Sequence, residues 1–212
     1  MSNNEVMKRI ADYKIVPVVV LNQEKDAVML AKALENGGLP IAEVTFRTDA
    51  AEASIRKIAE KYPDFLVGAG TVINRILCEK AIQAGAKFIV TPGYSQEVVD
   101  CALEHKIPVF PGCATPGEVI QAVNSGLEVV KFFPVSQYGG LPTLKALGSV
   151  FPKLKFMPSG GIHAANIREF MEYEKIIACG GSWMVKQELI EAGAFEEITR
   201  LCCEARELLK QL

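Results

Sequence analysis

Histidine and tryptophan are scarce in this sequence, with two of the first and one of the second among 212 residues. No His/Cys/Asp cluster has metal-ligand spacing, so no metal site is expected. Long apolar runs are missing too. The most apolar stretch, Ile15 to Leu21, is far shorter than the ~20 residues a helix needs to cross a bilayer, which excludes a membrane span and a membrane partner. Neither sign of charge dominates: 23 Lys and Arg face 25 Asp and Glu, for a net charge of −2. No basic stripe offers a footprint for nucleic acid. The opening residues, Met1 to Glu5, lack the basic start and apolar core of a secretory signal. The six cysteines form no CxxC and no regular framework, so reduced thiols in a cytoplasmic protein are expected.

What is present is enough apolar material for a folded core, 50% of the residues, in a length that fits one large domain or two small ones. The organisation emerges from short runs that end in Gly, Pro, Thr or Ser. They are Val16–Val20, Ile41–Phe46, Phe65–Gly68, Phe88–Thr91, Pro108–Gly112, Val129–Pro134, Leu154–Ser159 and Ile176–Gly180. Their β-branched and aromatic content and their turn-forming borders are strand properties. Between them, helical spacing covers Asp26–Glu35, Ala50–Lys61, Arg75–Ala84, Ser95–His105, Pro116–Ser125, Leu141–Val150 and Ala165–Glu172. Several of these segments close on glycine, at Gly37, Gly85 and Gly126, which suits a left-handed cap.

From Thr45 to Gly180 the run ends recur at a mean interval of 22.5 residues. Eight strand–helix units of that size fill the chain, leaving an N-terminal helix (Asn4–Tyr13) and a long C-terminal helix (about Gly193 to Leu212). The expected fold is α/β: one compact (β/α)8 TIM barrel over residues 1–212. An open doubly wound sheet fits less well. Its first strand would be followed by a glycine-rich phosphate loop, whereas this chain has Leu21-Asn22-Gln23. Gly68-Ala69-Gly70 likewise has no GxGxxG completion, so no dinucleotide is expected.

Barrel enzymes work at the C-terminal ends of their strands. In the second run, a period of two puts Glu43, Thr45 and Arg47 on one face and Val44 and Phe46 on the other. The polar set is expected inside the barrel. The sixth run places Lys131 inside Val129–Pro134, where burial favours the neutral amine that attack on a ketone requires. The same two residues would also suit a purely structural Glu43–Lys131 ion pair. The seventh and eighth runs end in Ser159-Gly160-Gly161 and Gly180-Gly181-Ser182. Paired glycines let backbone N–H groups approach an anion, and barrels often hold phosphate after these two strands, although tight turns use glycine in the same way. The small residues that end the third and fourth runs, Gly68-Ala69-Gly70 and Thr91-Pro92-Gly93, are expected to leave room for a ligand, with Thr71 as a hydrogen-bond donor to a carboxylate. His105 and His163 are read as solvated.

Two segments carry a resemblance: Gly38 to Arg47 (GLPIAEVTFR) and Gly126 to Pro134 (GLEVVKFFP). Together with Val67–Val72, Thr91–Gly93, Pro158–Ile162 and Gly180–Trp183, they resemble the 2-keto-3-deoxy-6-phosphogluconate aldolases, a family that includes 4-hydroxy-2-oxoglutarate aldolases. The resemblance implies a cytoplasmic, homotrimeric class I aldolase of the Entner–Doudoroff pathway. It implies a 2-keto acid substrate and no cofactor beyond a covalent imine on Lys131. It assigns Lys131 as the Schiff-base lysine and Glu43 as the proton shuttle. Arg47, Thr71 and Ser159 would hold the carboxylate end, Gly160, Gly161, Gly181 and Ser182 the phosphate, and Pro92 and Phe133 would line the pocket. Ser159 stands where the family usually has Thr, which keeps the hydroxyl. Val135 stands where Ala or Ser is usual, and its bulk is expected at the pocket edge. The alternatives are a preference for unphosphorylated 4-hydroxy-2-oxoglutarate or the galactonate epimer, and a non-catalytic phosphate-binding barrel.

Overall fold

Each apolar run forms a parallel strand in the computed structural model, which describes residues 2–210. The strands are β1 (Ile15–Val19), β2 (Ile41–Thr45), β3 (Leu66–Gly70), β4 (Ile89–Val90), β5 (Val109–Phe110), β6 (Val129–Phe132), β7 (Lys155–Pro158) and β8 (Cys179–Gly181). Six of them form one sheet in the order β5-β4-β3-β2-β1-β8, and β6 and β7 form a second. Parallel bridges span both seams between the sheets, Gly112 to Lys131 on one side and Phe156 to Ile176 and Ser159 to Gly180 on the other. At the first seam the Lys131 N–H donates to the Pro111 carbonyl (2.9 Å) and the Cys113 N–H donates to the Lys131 carbonyl (2.8 Å).

The ladders of β4 and β5 are shorter than their apolar runs, for a chemical reason. Pro108 and Pro111 have no N–H to give. Beyond β4, the Thr91 hydroxyl replaces a backbone partner: it accepts from the Gly112 N–H (3.0 Å) and donates to the Gly93 carbonyl (2.5 Å). β8 runs Cys179–Gly181 rather than Ile176–Gly180, so both of its glycines lie in extended strand.

The intervening helices, Ala27–Asn36, Ala51–Lys61, Arg75–Gln83, Gln96–Glu104, Pro116–Asn124, Gly140–Val150 and Ile167–Met171, fall within two residues of the helical spacing. A capping box of Thr115 and Glu118 with a first-turn proline starts one of them. Gly85 and Gly126 are left-handed, but at the first helix that role belongs to Gly38 (φ 76°), not Gly37. A Cβ at Gly37 would instead overlap that of Cys202, at 2.4 Å. A further short helix, Gln187–Glu191, is not among those expected from the sequence.

Helices Asn3–Tyr13 and Phe195–Leu209 flank the chain. The second begins after left-handed Gly193, and residues 211 and 212 of its expected span lie outside the described residues. Arg206 ties the two together by donating to the Tyr13 carbonyl at 3.0 Å.

Between the strands, β3 has glycine at two alternate positions on one face. A Cβ on Gly68 would lie 2.3 Å from the Phe88 ring, which packs edge-on against Phe110 at 6.1 Å. A Cβ on Gly70 would lie 2.1 Å from Glu43 Oε1. The space these glycines leave is therefore filled by protein, by a ring lower down and a carboxylate higher up. The expectation of ligand room at Gly68-Ala69-Gly70 is corrected accordingly.

Five of the six cysteines are buried and all six are free. Burial pushes the Cys113 and Cys202 thiols up to about 12, and Cys78 and Cys179 upward as well. Thiols in that state are poor nucleophiles at neutral pH.

Candidate active site

Glu43 sits in the middle of β2, bonded in register to Val18 of β1 and Gly68 of β3, and is 1% exposed. Lys131, on β6, is 6% exposed and lies across the interior from it. Its Nζ donates to Glu43 Oε1 at 3.3 Å and stands 5.2 Å from the centre of the Phe133 ring. Glu43 Oε2 is buried and has no hydrogen-bond partner among the described residues. A buried pair of this kind contributes little net stability, because desolvation offsets the attraction, whereas losing one partner costs ~3–5 kcal/mol. The pair stands at the wall of a cleft, where a carboxylate at this distance can take a proton from the amine.

That cleft, about 350 Å³ in volume, opens at the C-terminal ends of the strands. All eleven residues expected from the sequence line it: Glu43, Arg47, Thr71, Pro92, Lys131, Phe133, Ser159, Gly160, Gly161, Gly181 and Ser182. Four more line it that sequence reasoning did not assign, namely Val18, Thr45, Ile162 and Gly180. Thr45 was within reach of the period-two argument. Val18 was not, because nothing in an all-apolar run says which side faces inward.

The polar face of the second run divides in space. Glu43 and Thr45 are enclosed, but β2 ends at Thr45, so Arg47 emerges at the exposed rim. Its Nε donates to Thr45 Oγ1 at 3.1 Å, and the terminal nitrogens form no ion pair among the described residues. Thr71 follows β3 with φ 58°, a sterically disfavoured conformation for a β-branched residue. Such strain costs ~1–3 kcal/mol and is typical of residues held for a purpose at a site.

The two glycine pairs differ. Gly160 and Gly161 are both left-handed, with φ of 92° and 88°. The Gly160 carbonyl accepts from the Ser136 N–H (3.1 Å) and the Gly161 carbonyl from Asn166 Nδ2 (2.9 Å). With both carbonyls occupied, the successive N–H groups remain for an anion, an arrangement that binds phosphate readily. Gly180 and Gly181 instead continue β8, where a Cβ would meet Ser159 Cβ at 2.8 Å or the Trp183 ring at 2.1 Å. They are needed for lack of a side chain and not for backbone conformation, which corrects the reading of two equivalent loops.

Val135 is corrected too. It is fully buried and does not line the cleft, although its N–H donates at 2.8 Å to the carbonyl of Ser159, which does. Its bulk packs into the core instead of the pocket edge. His163 is exposed and borders an adjoining cleft, and His105 ends a helix with Nδ1 2.9 Å from the Cys101 carbonyl.

The comparisons agree with this geometry. The family model described as "Aldolase: KDPG and KHG aldolase" matches residues 6–201. The 2-dehydro-3-deoxy-phosphogluconate aldolase of Treponema pallidum is 42% identical over 93% of this chain and 92% of its own. The KHG/KDPG aldolase of Escherichia coli K12 is 40% identical over 91% of both chains. The solved KDPG aldolase of Legionella pneumophila, with pyruvate captured at low pH as a covalent carbinolamine intermediate, superposes with a TM-score of 0.91. It is 36% identical, over 94% of this chain and 97% of its own. On the match along nearly its whole length, the chain belongs to the KDPG and KHG aldolase family.

Proposed function

We propose that this protein is a class I aldolase that cleaves 2-keto-3-deoxy-6-phosphogluconate reversibly to pyruvate and glyceraldehyde 3-phosphate through an imine on Lys131. The observation that carries this reading is the buried lysine 3.3 Å from a buried carboxylate, on the wall of the strand-end cleft. The carbinolamine in the Legionella pneumophila relative is the intermediate such a lysine would form with pyruvate.

Glu43 takes a proton from the Lys131 ammonium, and the freed Nζ attacks the C2 ketone. Glu43 gives that proton to the former ketone oxygen, takes a second from the nitrogen and passes it to the carbinolamine hydroxyl, which leaves as water and yields the iminium. Glu43, again a carboxylate, takes the C4 hydroxyl proton, which drives cleavage of the C3–C4 bond. The electron pair flows to the iminium nitrogen, giving an enamine, and glyceraldehyde 3-phosphate departs. Glu43 returns that proton to C3 of the enamine, and water hydrolyses the new iminium to pyruvate and free Lys131. Positioned proton transfer of this kind contributes ~10²–10⁴-fold. No metal or organic cofactor enters the scheme.

Arg47, Thr71 and Ser159 hold the carboxylate, Gly160, Gly161, Gly181 and Ser182 hold the phosphate, and Pro92 and Phe133 flank the reacting carbons. The eight strands act as one closed (β/α)8 barrel spanning residues 1–212, in line with the bridges across both seams. A cytoplasmic homotrimer is the assembly we favour, on the strength of the family to which the chain belongs. The name of the Escherichia coli relative favours a second substrate, 4-hydroxy-2-oxoglutarate, handled by the same lysine.

The test is reduction with borohydride in the presence of pyruvate, followed by peptide mass mapping. A reduced pyruvyl adduct on Lys131 is expected. Folded protein without that adduct would overturn the Schiff-base reading.

A further inference from the structure

Thr45 lies on the inward face of β2 between Glu43 and Arg47, and the reaction scheme leaves it without a task. It is 1% exposed, which is unusual for a hydroxyl at a cleft mouth unless its hydrogen bonds are made within the protein. They are. Thr45 Oγ1 donates its single proton to the Val19 carbonyl, at the end of the neighbouring β1, at 2.8 Å. With the proton committed there, the oxygen presents a lone pair, and Arg47 Nε donates to it at 3.1 Å. The order of the relay is therefore fixed: guanidinium, hydroxyl, then backbone carbonyl of a paired strand.

We infer that Thr45 is a positioning residue that presets Arg47 to receive the carboxylate of the 2-keto acid, an inference that rests on the assignment of Arg47 above. A guanidinium is planar and carries its five N–H groups in a rigid fork. Holding Nε fixes the plane and leaves the four N–H groups of the two terminal nitrogens free for two-pronged contact with a carboxylate. Arg47 is exposed, so without this anchor its long side chain would sample many rotamers in water and would have to be ordered at binding. The anchor itself is rigid, because Val19 and Thr45 belong to adjacent bonded strands. Once substrate is bound, the carboxylate orders Arg47 by itself, so the advantage belongs to binding and not to the chemical step.

The test is steady-state cleavage of 2-keto-3-deoxy-6-phosphogluconate by Thr45→Val, Thr45→Ser, Arg47→Met and the Thr45→Val/Arg47→Met double variant. Thr45→Val keeps the shape and removes the relay. It should raise KM about tenfold, equivalent to ~1.4 kcal/mol, with kcat falling no more than about twofold. Thr45→Ser retains the hydroxyl and should stay within about twofold of the parent KM. Arg47→Met should raise KM more than Thr45→Val does, and the double variant should be no worse than Arg47→Met alone, because the relay has nothing left to hold. A merely structural threonine would lower Tm and would multiply its effect with that of Arg47→Met. If Thr45→Val does not fold, Thr45→Cys keeps the size with only a weak sulfur acceptor and carries the same expectation. Unchanged KM in Arg47→Met would remove the carboxylate assignment. Raised KM in Arg47→Met with no change in Thr45→Val, or independent effects in the double variant, would overturn the positioning role alone.

Discussion

Gly68 and Gly70 stand two residues apart on the same face of the same strand, yet they serve different regions of the interior. Gly68 makes way for the Phe88 ring, in the apolar floor that Phe88 forms with Phe110. Gly70 makes way for the Glu43 carboxylate, at the level where Lys131 crosses from β6. The floor is a packing problem solved by an aromatic ring. The upper layer is a charge problem, in which a carboxylate must stand close to an amine and still keep one oxygen unpartnered. The same residue type, spacing and absence of side chain thus make room for an aromatic ring in one layer and for a carboxylate in the other.

Three substitutions bear on this contrast. The largest effect is expected from Lys131→Met, which keeps the bulk of the side chain and removes the amine. Cleavage should fall to the limit of detection in a coupled assay. Leaving Glu43 buried without its partner costs ~3–5 kcal/mol, within the ~5–15 kcal/mol of a typical domain, so circular dichroism should still report a folded chain. Normal turnover by this variant would remove the upper layer's claim to chemistry.

Gly70→Ala comes next. Gly70 is not left-handed, so alanine suits the backbone, but its Cβ must displace the end of Glu43. The carboxylate is enclosed and must shift away from Lys131, so kcat should fall about 10²-fold, the lower range for a misplaced proton-transfer group, and Tm should fall as well. The smallest effect on activity is expected from Gly68→Ala. Its methyl meets an aromatic ring locked in the core, and overpacking of this kind costs ~1–3 kcal/mol. Tm should drop by several degrees with kcat/KM within about twofold of the parent. If the two alanine variants lost kcat alike, the division into floor and reactive layer would fail.

The contrast also marks how far the sequence could be read. The strand runs and the helices between them were legible, because alternating period-two and helical segments recur at a nearly constant interval. The eleven expected cleft residues were legible for a related reason: in such a repeat, reactive side chains and glycines gather where runs end, and the Glu43 and Lys131 segments match a known family. What the sequence hid was mostly the purpose of small residues. Gly68 and Gly70 read as space for a ligand, because a glycine does not declare which neighbour fills its space. Gly160-Gly161 and Gly180-Gly181 read alike, although one pair is required by φ and the other by Ser159 and Trp183. Val135 read as a pocket residue because it directly follows a site motif, but the chain turns there and its backbone is strapped to Ser159. Thr45 stands in plain view on the polar face of the second run, but its hydrogen bond to a carbonyl 26 residues away cannot be read from the sequence.

Cys202 and Cys203 are consecutive on helix Phe195–Leu209, and the turn of the helix sends one into the core and the other into solvent. Of the six thiols, five are sheltered, which leaves Cys203 as the accessible point for a thiol-directed reagent. It does not line the cleft that holds Lys131. A maleimide dye or a surface-coupling group would therefore enter at one position per chain, a built-in attachment point outside the lining of the cleft that holds Lys131.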